Sequence, residues 1–365
     1  MPDYPSIDRT MTAALEEGVF PGAVLLVARG EEILIQRAYG FAALIPEQRP
    51  LTPDTIFDLA SLTKPLATTL AVMALIAEGR LSLDQTFQQL GEPFLVPGKE
   101  SVSIRQLLAH TSGLPAYQTY YRHLADLPLS KRKPALREMV RQEPLQFPPG
   151  AATLYSDLGF IYLEWLVEIL GGQDLQRWTI ERCFGPLGLE TLGFRPLTGE
   201  PVVHPERYAA TENCPWRKKI LVGEVHDENT YTVGGVSGQA GLFGTVGEVF
   251  RLLRALKNAY DQPDTPGLFN GRLVRTFWQR QTVAEGEGRA LGFDMPSREG
   301  SSAGRFFSPR TVGHLGFTGT SFWFNLERDF LVILLTNRIH PTRRNEKIRS
   351  FRPKIHDQVI EVFLR

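Results

Sequence analysis

The stretch "FDLASLTKPLATTLAVMALIAEGRLSLDQ" (57–85) decides how the rest of the chain is read. Ser61 and Lys64 stand three apart in it, so a helix here puts both on one face. A lysine nitrogen within reach of a serine hydroxyl is one way to make a weak nucleophile reactive. From Leu66 to Ala77 there is no charge until Glu78, the pattern of a helix buried in a core, and Gly79 punctuates its end. A serine at the start of such a helix also has free backbone N–H groups nearby, which favour a developing negative charge. By itself the box reads more economically as an N-cap serine and a solvated lysine, since S-x-x-K recurs by chance.

Working outward, residues 5–17 read as a helix, and "PGAVLLVARG" with "EEILIQRAYG" (21–40) as a β-hairpin broken by Gly30 and Gly40. The C-terminal third mirrors this with "TVGHLGF", "TSFWFNLE" and "FLVILLTNR", strand-like segments separated by Gly319 and by Arg328-Asp329. A final helix-like segment (345–364) follows, with Pro353 expected to bend or split it. Between them, helical patterns fall at 65–78, 102–110, 134–142, 157–170, 173–183 and 246–258, joined by Pro/Gly-rich connections. The expected fold class is α+β. An antiparallel sheet of N- and C-terminal strands is flanked by helices and carries a mostly helical inserted subdomain. Residues 1–64 and 286–365 form the sheet part of this single domain and 65–285 the helical part, with a cleft between them suited to catalysis.

Bulk properties narrow the function. Lys+Arg and Asp+Glu both number 40, so no net charge draws the chain to nucleic acid or an anionic membrane. The basic run "RNEKIRSFRPK" (344–354) is local, interrupted and read as solvated surface. Uninterrupted apolar stretches such as Phe330 to Leu335 are too short to span a bilayer. The N-terminal residues, acidic early and without an apolar core, do not read as a signal peptide. The expectation is a cytoplasmic protein, or a periplasmic one if a leader has been removed. Cys183 and Cys214 have no metal-ligand or framework spacing and are expected to be free thiols.

Four further segments bear on chemistry. "PPGAATLYSDLGF" (148–160) places Tyr155, Ser156 and Asp157 before an apolar helix; the serine or the aspartate reads equally as an N-cap. "GHLGFTGTSFWF" (313–324) puts His314 and Gly316 at a strand end, where a histidine binds an anion, moves a proton or simply bonds to backbone. "QLLAHTSGLP" (106–115) reads as a helix C-cap turn with Gly113 left-handed. In "VHDENTYTVGGVSGQAGLFGT" (225–245), His226, Asp227 and Glu228 suggest a metal or triad component, yet adjacent residues do not share a face. Gly235-Val236-Ser237-Gly238-Gln239 misses a nucleophile elbow because Gln239 stands where glycine is needed.

Order and spacing then matter. Ser61-x-x-Lys64, Tyr155-Ser-Asp157 and His314-Leu-Gly316, in that sequence, resemble the Ser-x-x-Lys, Tyr-x-Asn, Lys-Thr-Gly series of the class C β-lactamase and penicillin-binding superfamily. Its relatives include D-alanyl-D-alanine carboxypeptidases, D-aminopeptidases and esterases. "HTSGLP" and "GGVSGQAGLFGT" extend the resemblance to nearly the whole chain. The resemblance implies that Ser61 attacks a carbonyl and forms an acyl-enzyme. Lys64 helps to deprotonate it, through a lowered pKa, and Tyr155 shuttles the proton to the leaving group. The N–H groups of Ser61 and Phe317 form the oxyanion hole, and Asp157, in the asparagine position, orients Lys64 or the substrate. The substrate-binding set implied is Asp157, His314, Gly316 and Phe317.

Three departures stand out: His314 for lysine, Leu315 for threonine, Asp157 for asparagine. Losing the pair that holds a β-lactam carboxylate, and adding Asp157, should weaken binding of acidic substrates. Asp157 paired with Lys64 would also raise that lysine's pKa and favour Tyr155 as the working base. The expectation is a serine acyl-hydrolase on a peptide, amide or ester, with D-amino-acid peptides as the substrate class. The alternatives are a β-lactamase and a catalytically weak binding or scaffolding protein on the same fold. No metal or organic cofactor is implied, and the partner is a small-molecule or peptide substrate.

Overall fold

The computed structural model describes residues 4–197 and 199–364. The strands are β1 (Gly22–Arg29), β2 (Glu32–Ala43), β3 (Arg49–Pro50), β4 (Phe57–Asp58), β5 (Gly193–Phe194), β6 (Ala210–Cys214), β7 (Lys219–Val222), β8 (Leu242–Gly244), β9 (Val312–Leu315), β10 (Ser321–Asn325) and β11 (Phe330–Thr336). Six of them form an antiparallel sheet in the order β3-β2-β1-β11-β10-β9, so the first and last strands of the chain meet at its centre. Val24 lies opposite Leu335, and Phe322 opposite His314.

Why β1 is apolar at nearly every position follows from its place. Val24, Leu26 and Ala28 face the large core shared with the helices. Ala23, Leu25 and Val27 face a second core, where the helices Pro5–Glu16 and Ile348–Leu364 cover the other side through Ile7, Met11, Ile355 and Val359. A strand covered on both faces gives up the polar alternation that a half-exposed strand keeps. Each leucine buried this way contributes roughly 1.5–3 kcal/mol.

The α+β architecture is as expected, with differences in the middle of the chain. The region read as helical also holds strands: β8 and β5 form a small sheet with β4 from the N-terminal part, in the order β4-β8-β5, and β6-β7 form a hairpin. The helix Val246–Asp261 packs on β1 and β11 as well as on the helix Gly271–Phe277. The buried core runs without a break from Val24 in β1 to Leu166 in the Asp157–Gly171 helix, so the 64/65 and 285/286 boundaries divide topology but not packing. Helix Ile348–Leu364 is continuous through Pro353. The run Ala60–Ala77 is long and apolar enough to cross a membrane by length and composition, but 78% of it is buried inside the protein. Counting only uninterrupted apolar residues passes over this run, which Thr68 and Thr69 interrupt.

Candidate active site

The helix expected from residue 65 starts earlier and less regularly. A 3-10 turn, Ala60–Leu62, leads into a π-helical turn, Lys64–Thr68, and then the α-helix Thr69–Ala77. Pro65 has no N–H to give to a regular ladder. Ala60, immediately before the serine, takes a left-handed backbone with φ 49°. Such a conformation costs a non-glycine residue roughly 1–3 kcal/mol and persists only where neighbours enforce it. They do so here: Ala60 N–H donates to Asp58 Oδ1 at 2.8 Å, and the Thr63 hydroxyl donates to Ala60 O at 2.6 Å.

Ser61 and Lys64 are together. Lys64 Nζ donates to Ser61 Oγ at 3.2 Å and to Gln239 O at 3.0 Å, and it lies 2.6 Å from Asp157 Oδ1. The last contact is an ion pair without hydrogen-bond alignment. Of the three donors of the ammonium, Ser61 Oγ and Gln239 O take two, and the Asp157 carboxylate stands against its charge. Burial disfavours the charge on Lys64, but the Asp157 carboxylate and the Tyr155 oxygen outweigh it, so its pKa is raised rather than lowered. The expected lowering from burial is therefore corrected by the acidic neighbour.

Tyr155 reaches the same place from another element. The turn at 110–116 holds it: Leu154 N–H donates to His110 O at 2.9 Å, Ser156 N–H to His110 Nδ1 at 3.0 Å, and Asp157 N–H to Ala116 O at 2.9 Å. Ser156 caps the helix Asp157–Gly171 by accepting from Gly159 N–H, which frees Asp157 to face Lys64. The Tyr155 hydroxyl is buried and meets no aligned hydrogen-bond partner among the described residues, while Lys64 Nζ sits 4.8 Å from its ring centre. Burial pushes the phenol above its usual range, with Lys64 opposing.

A cleft of about 360 Å³ opens on these groups, lined among others by Ser61, Tyr155, Asp157, Asp227 and Phe317. The N–H groups of Ser61 and Phe317 donate to no protein acceptor among the described residues. His314 and Gly316 are not on the cleft wall. His314 is buried behind Tyr155, ring centres 5.9 Å apart, with Nδ1 2.9 Å from Leu315 O. A carbonyl only accepts, so Nδ1 carries the proton. Burial and the charges of Arg289 and Lys64 pull the pKa of His314 well below its ordinary value, leaving a neutral ring that attracts no anion. Gly316 is packed tight: a Cβ there would meet Thr320 Oγ1 at 2.0 Å and Leu59 O at 2.7 Å.

Several contributors were invisible in the sequence. Gln239 enters through its backbone oxygen, and Thr68 and Thr63 tie the same 237–242 loop down through Gly238 O and Leu242 N–H. Ser237, the near-miss nucleophile, is buried against Glu164 and Gln239 and serves to shape that loop. Arg289 lies 5.3 Å from the Tyr155 ring centre and pairs with Asp294 at 3.2 Å. His226 and Glu228 join a network with Glu212 and Arg343; among the described residues no group of three His, Cys, Asp or Glu side chains is placed to hold a metal ion. Cys183 and Cys214 are free and buried.

Comparison with known proteins agrees with this geometry. Among solved structures, a hydrolase with promiscuous acyltransferase activity, EstCE1, superposes with a TM-score of 0.73 at 22% identity, covering 95% of this chain and 97% of the other. A penicillin-binding protein from Bacillus halodurans gives 0.70 at 22% identity over 100% of both chains. Among curated sequences, a protein of Escherichia coli (strain K12) carrying the provisional name D-alanyl-D-alanine carboxypeptidase is 31% identical over 363 residues, 92% of this chain and 82% of its own length. The family model Beta-lactamase matches residues 7–353, which spans Ser61, Lys64, Tyr155 and His314 alike. The chain belongs to the beta-lactamase family and is a serine hydrolase.

Proposed function

We propose that this serine hydrolase works through an acyl-enzyme on Ser61, cleaving a peptide, amide or ester, with D-amino-acid peptides as its substrate class. The observation that carries it is the meeting of Lys64 Nζ with Ser61 Oγ at 3.2 Å beside Tyr155 in one cleft. Ser61 Oγ attacks the carbonyl carbon, and the tetrahedral oxygen is received by the N–H groups of Ser61 and Phe317. Lys64 donates to Ser61 Oγ and is held as an ammonium by Asp157, so it steadies negative charge rather than taking the proton. Tyr155, whose hydroxyl has no other partner, takes the serine proton as phenolate and passes it to the leaving group. Water then attacks the acyl-enzyme by the reverse route.

The test is incubation with a fluorescent penicillin and with a short-chain chromogenic ester. The wild type should turn over the ester quickly and hydrolyse the penicillin slowly. Ser61→Ala should abolish acylation, and Tyr155→Phe should slow it by about 10²–10⁴-fold. A wild type that neither binds the penicillin covalently nor cleaves the ester would show the reading to be wrong. Fast penicillin turnover would make the protein a β-lactamase instead.

A further inference from the structure

The charges on the cleft wall are paired in all but one case. Asp157 lies 2.6 Å from Lys64. Glu228 lies 2.5 Å from Arg343, which also holds Glu212 at 2.6 Å; Glu212 in turn accepts from or faces His226 Nε2 at 3.1 Å. His226 and Arg343 together pull the Glu212 carboxyl down to about 2 despite its burial. Asp227 differs. Its Oδ1 accepts from Thr230 N–H at 2.7 Å and meets Gln239 Nε2 at 3.4 Å, both neutral donors. Among the described residues it has no ion-pair partner, and it lines the cleft with Ser61. Tyr117, 39% exposed, lines the same wall, and Asp227 and Glu228 help burial to keep its phenol protonated.

The cations tell the same story from the other side. Lys64 is fully buried, donates to Ser61 and Gln239, and has its charge answered by Asp157. Arg343 is spent on two glutamates. Arg338 stands behind Phe317, 4.5 Å from its ring, and donates to Phe317 O, Arg343 O and Asn345 O. A substrate's terminal carboxylate therefore meets no uncommitted cation on this wall, whereas an ammonium meets an uncommitted carboxylate beside an aromatic ring.

Resting on the acyl-hydrolase reading, we infer that the cleft selects substrates carrying an ammonium group near the scissile carbonyl, with Asp227 as the residue that recognises it. The cleft volume of about 360 Å³ suits an acyl group of amino-acid size. Substrates with a free amine are thus favoured over those presenting a carboxylate, so the activity is aminopeptidase-like rather than carboxypeptidase-like.

The test uses three anilides: D-alanine p-nitroanilide, its isostere isobutyric p-nitroanilide with methyl for ammonium, and the carboxylate-bearing succinic mono-p-nitroanilide. At low salt the ammonium compound should exceed the methyl compound in kcat/KM by about tenfold or more, and rising ionic strength should shrink that ratio. Asp227→Asn should bring the ratio towards one; asparagine keeps the cap on Thr230 N–H, so the fold is preserved. Calorimetry on Ser61→Ala reads binding without turnover, with D-alaninamide expected to bind about tenfold tighter than isobutyramide. If the anilides are cleaved but the ratio is near one, or is unmoved by Asp227→Asn, or the succinic compound is fastest, the inference falls and the acyl-hydrolase reading stands. If neither the anilides nor the chromogenic ester is cleaved and no penicillin is bound covalently, yet D-alaninamide binds preferentially, the acyl-hydrolase reading falls and Asp227's recognition of ammonium survives. Equal binding of the two amides overturns the inference in either case.

Discussion

Lys64 has three N–H donors and three neighbours, and the choice of neighbours decides how the site handles protons. With asparagine at 157 the lysine would face only neutral oxygens, and burial would push it towards the free amine. With Asp157 the ammonium is favoured, and the phenol of Tyr155 is pushed up as well, so the proton-deficient form that activates Ser61 becomes populated only as pH rises. The kcat/KM of a chromogenic ester should therefore climb through the alkaline range. Asp157→Asn removes the negative charge that holds the proton on Lys64, so the rising limb should move to lower pH by about one unit or more. A limb that stays in place would show that Asp157 does not set the basicity of the pair. At this scale Ser61, Lys64 and Tyr155 were legible, because the chemistry asks for those residue types. The contribution of Gln239 was not, since a backbone oxygen leaves no mark on side-chain identity.

Among the elements, the 110–116 turn governs Tyr155 and reaches the cleft only at its end, through Ala116. It has to present His110 O, His110 Nδ1 and Ala116 O to the N–H groups of Leu154, Ser156 and Asp157, with Ser156 as the Nδ1 donor. His110 and Gly113 both take left-handed backbone, at φ 59° and 82°. A Cβ on Gly113 would meet Phe147 O at 2.1 Å, an atom of backbone that has little room to give. Gly113→Ala should cost about 1–3 kcal/mol from strain alone, and more from the clash, read as a lower urea midpoint. It should also depress kcat, because the turn that moves is the one that aims Tyr155. Full stability with full activity in this variant would refute the positioning role. The sequence marked this turn as a C-cap and as part of the family resemblance but not as a support for Tyr155, since Leu154, Ser156 and Asp157 lie more than forty residues from the groups they bond there.

Over the whole molecule, the burial that makes the site also makes the fold sensitive to acid. His110 and His314 are held well below 6.5, chiefly by burial, His340 is lowered for the same reason, and burial brings His356 down to about 4. Each is neutral when folded and takes up a proton more readily when unfolded. Their stabilisation is present above pH 6.5 and is lost as pH falls towards 4; for His356 alone the loss is about 3 kcal/mol. Thermal unfolding followed from pH 7.5 to 4.5 should show Tm falling below pH 6.5, and His356→Gln should flatten that fall. A Tm constant over this interval would contradict the neutral buried histidines. The sheet that buries them was legible from its pattern, because apolar strands at both ends of one chain have few ways to cover themselves except together. By itself the sequence determined the fold class and the family series of Ser61, Lys64, Tyr155 and His314, since each follows from residue type and order. Only the tertiary structure decided which charges cancel: that Asp157 answers Lys64, that Arg343 is consumed by Glu212 and Glu228, that His314 lies behind Tyr155, and that Asp227 is left without a cation among the described residues. Pairing depends on distances between elements far apart in the chain, and spacing along the sequence does not carry them.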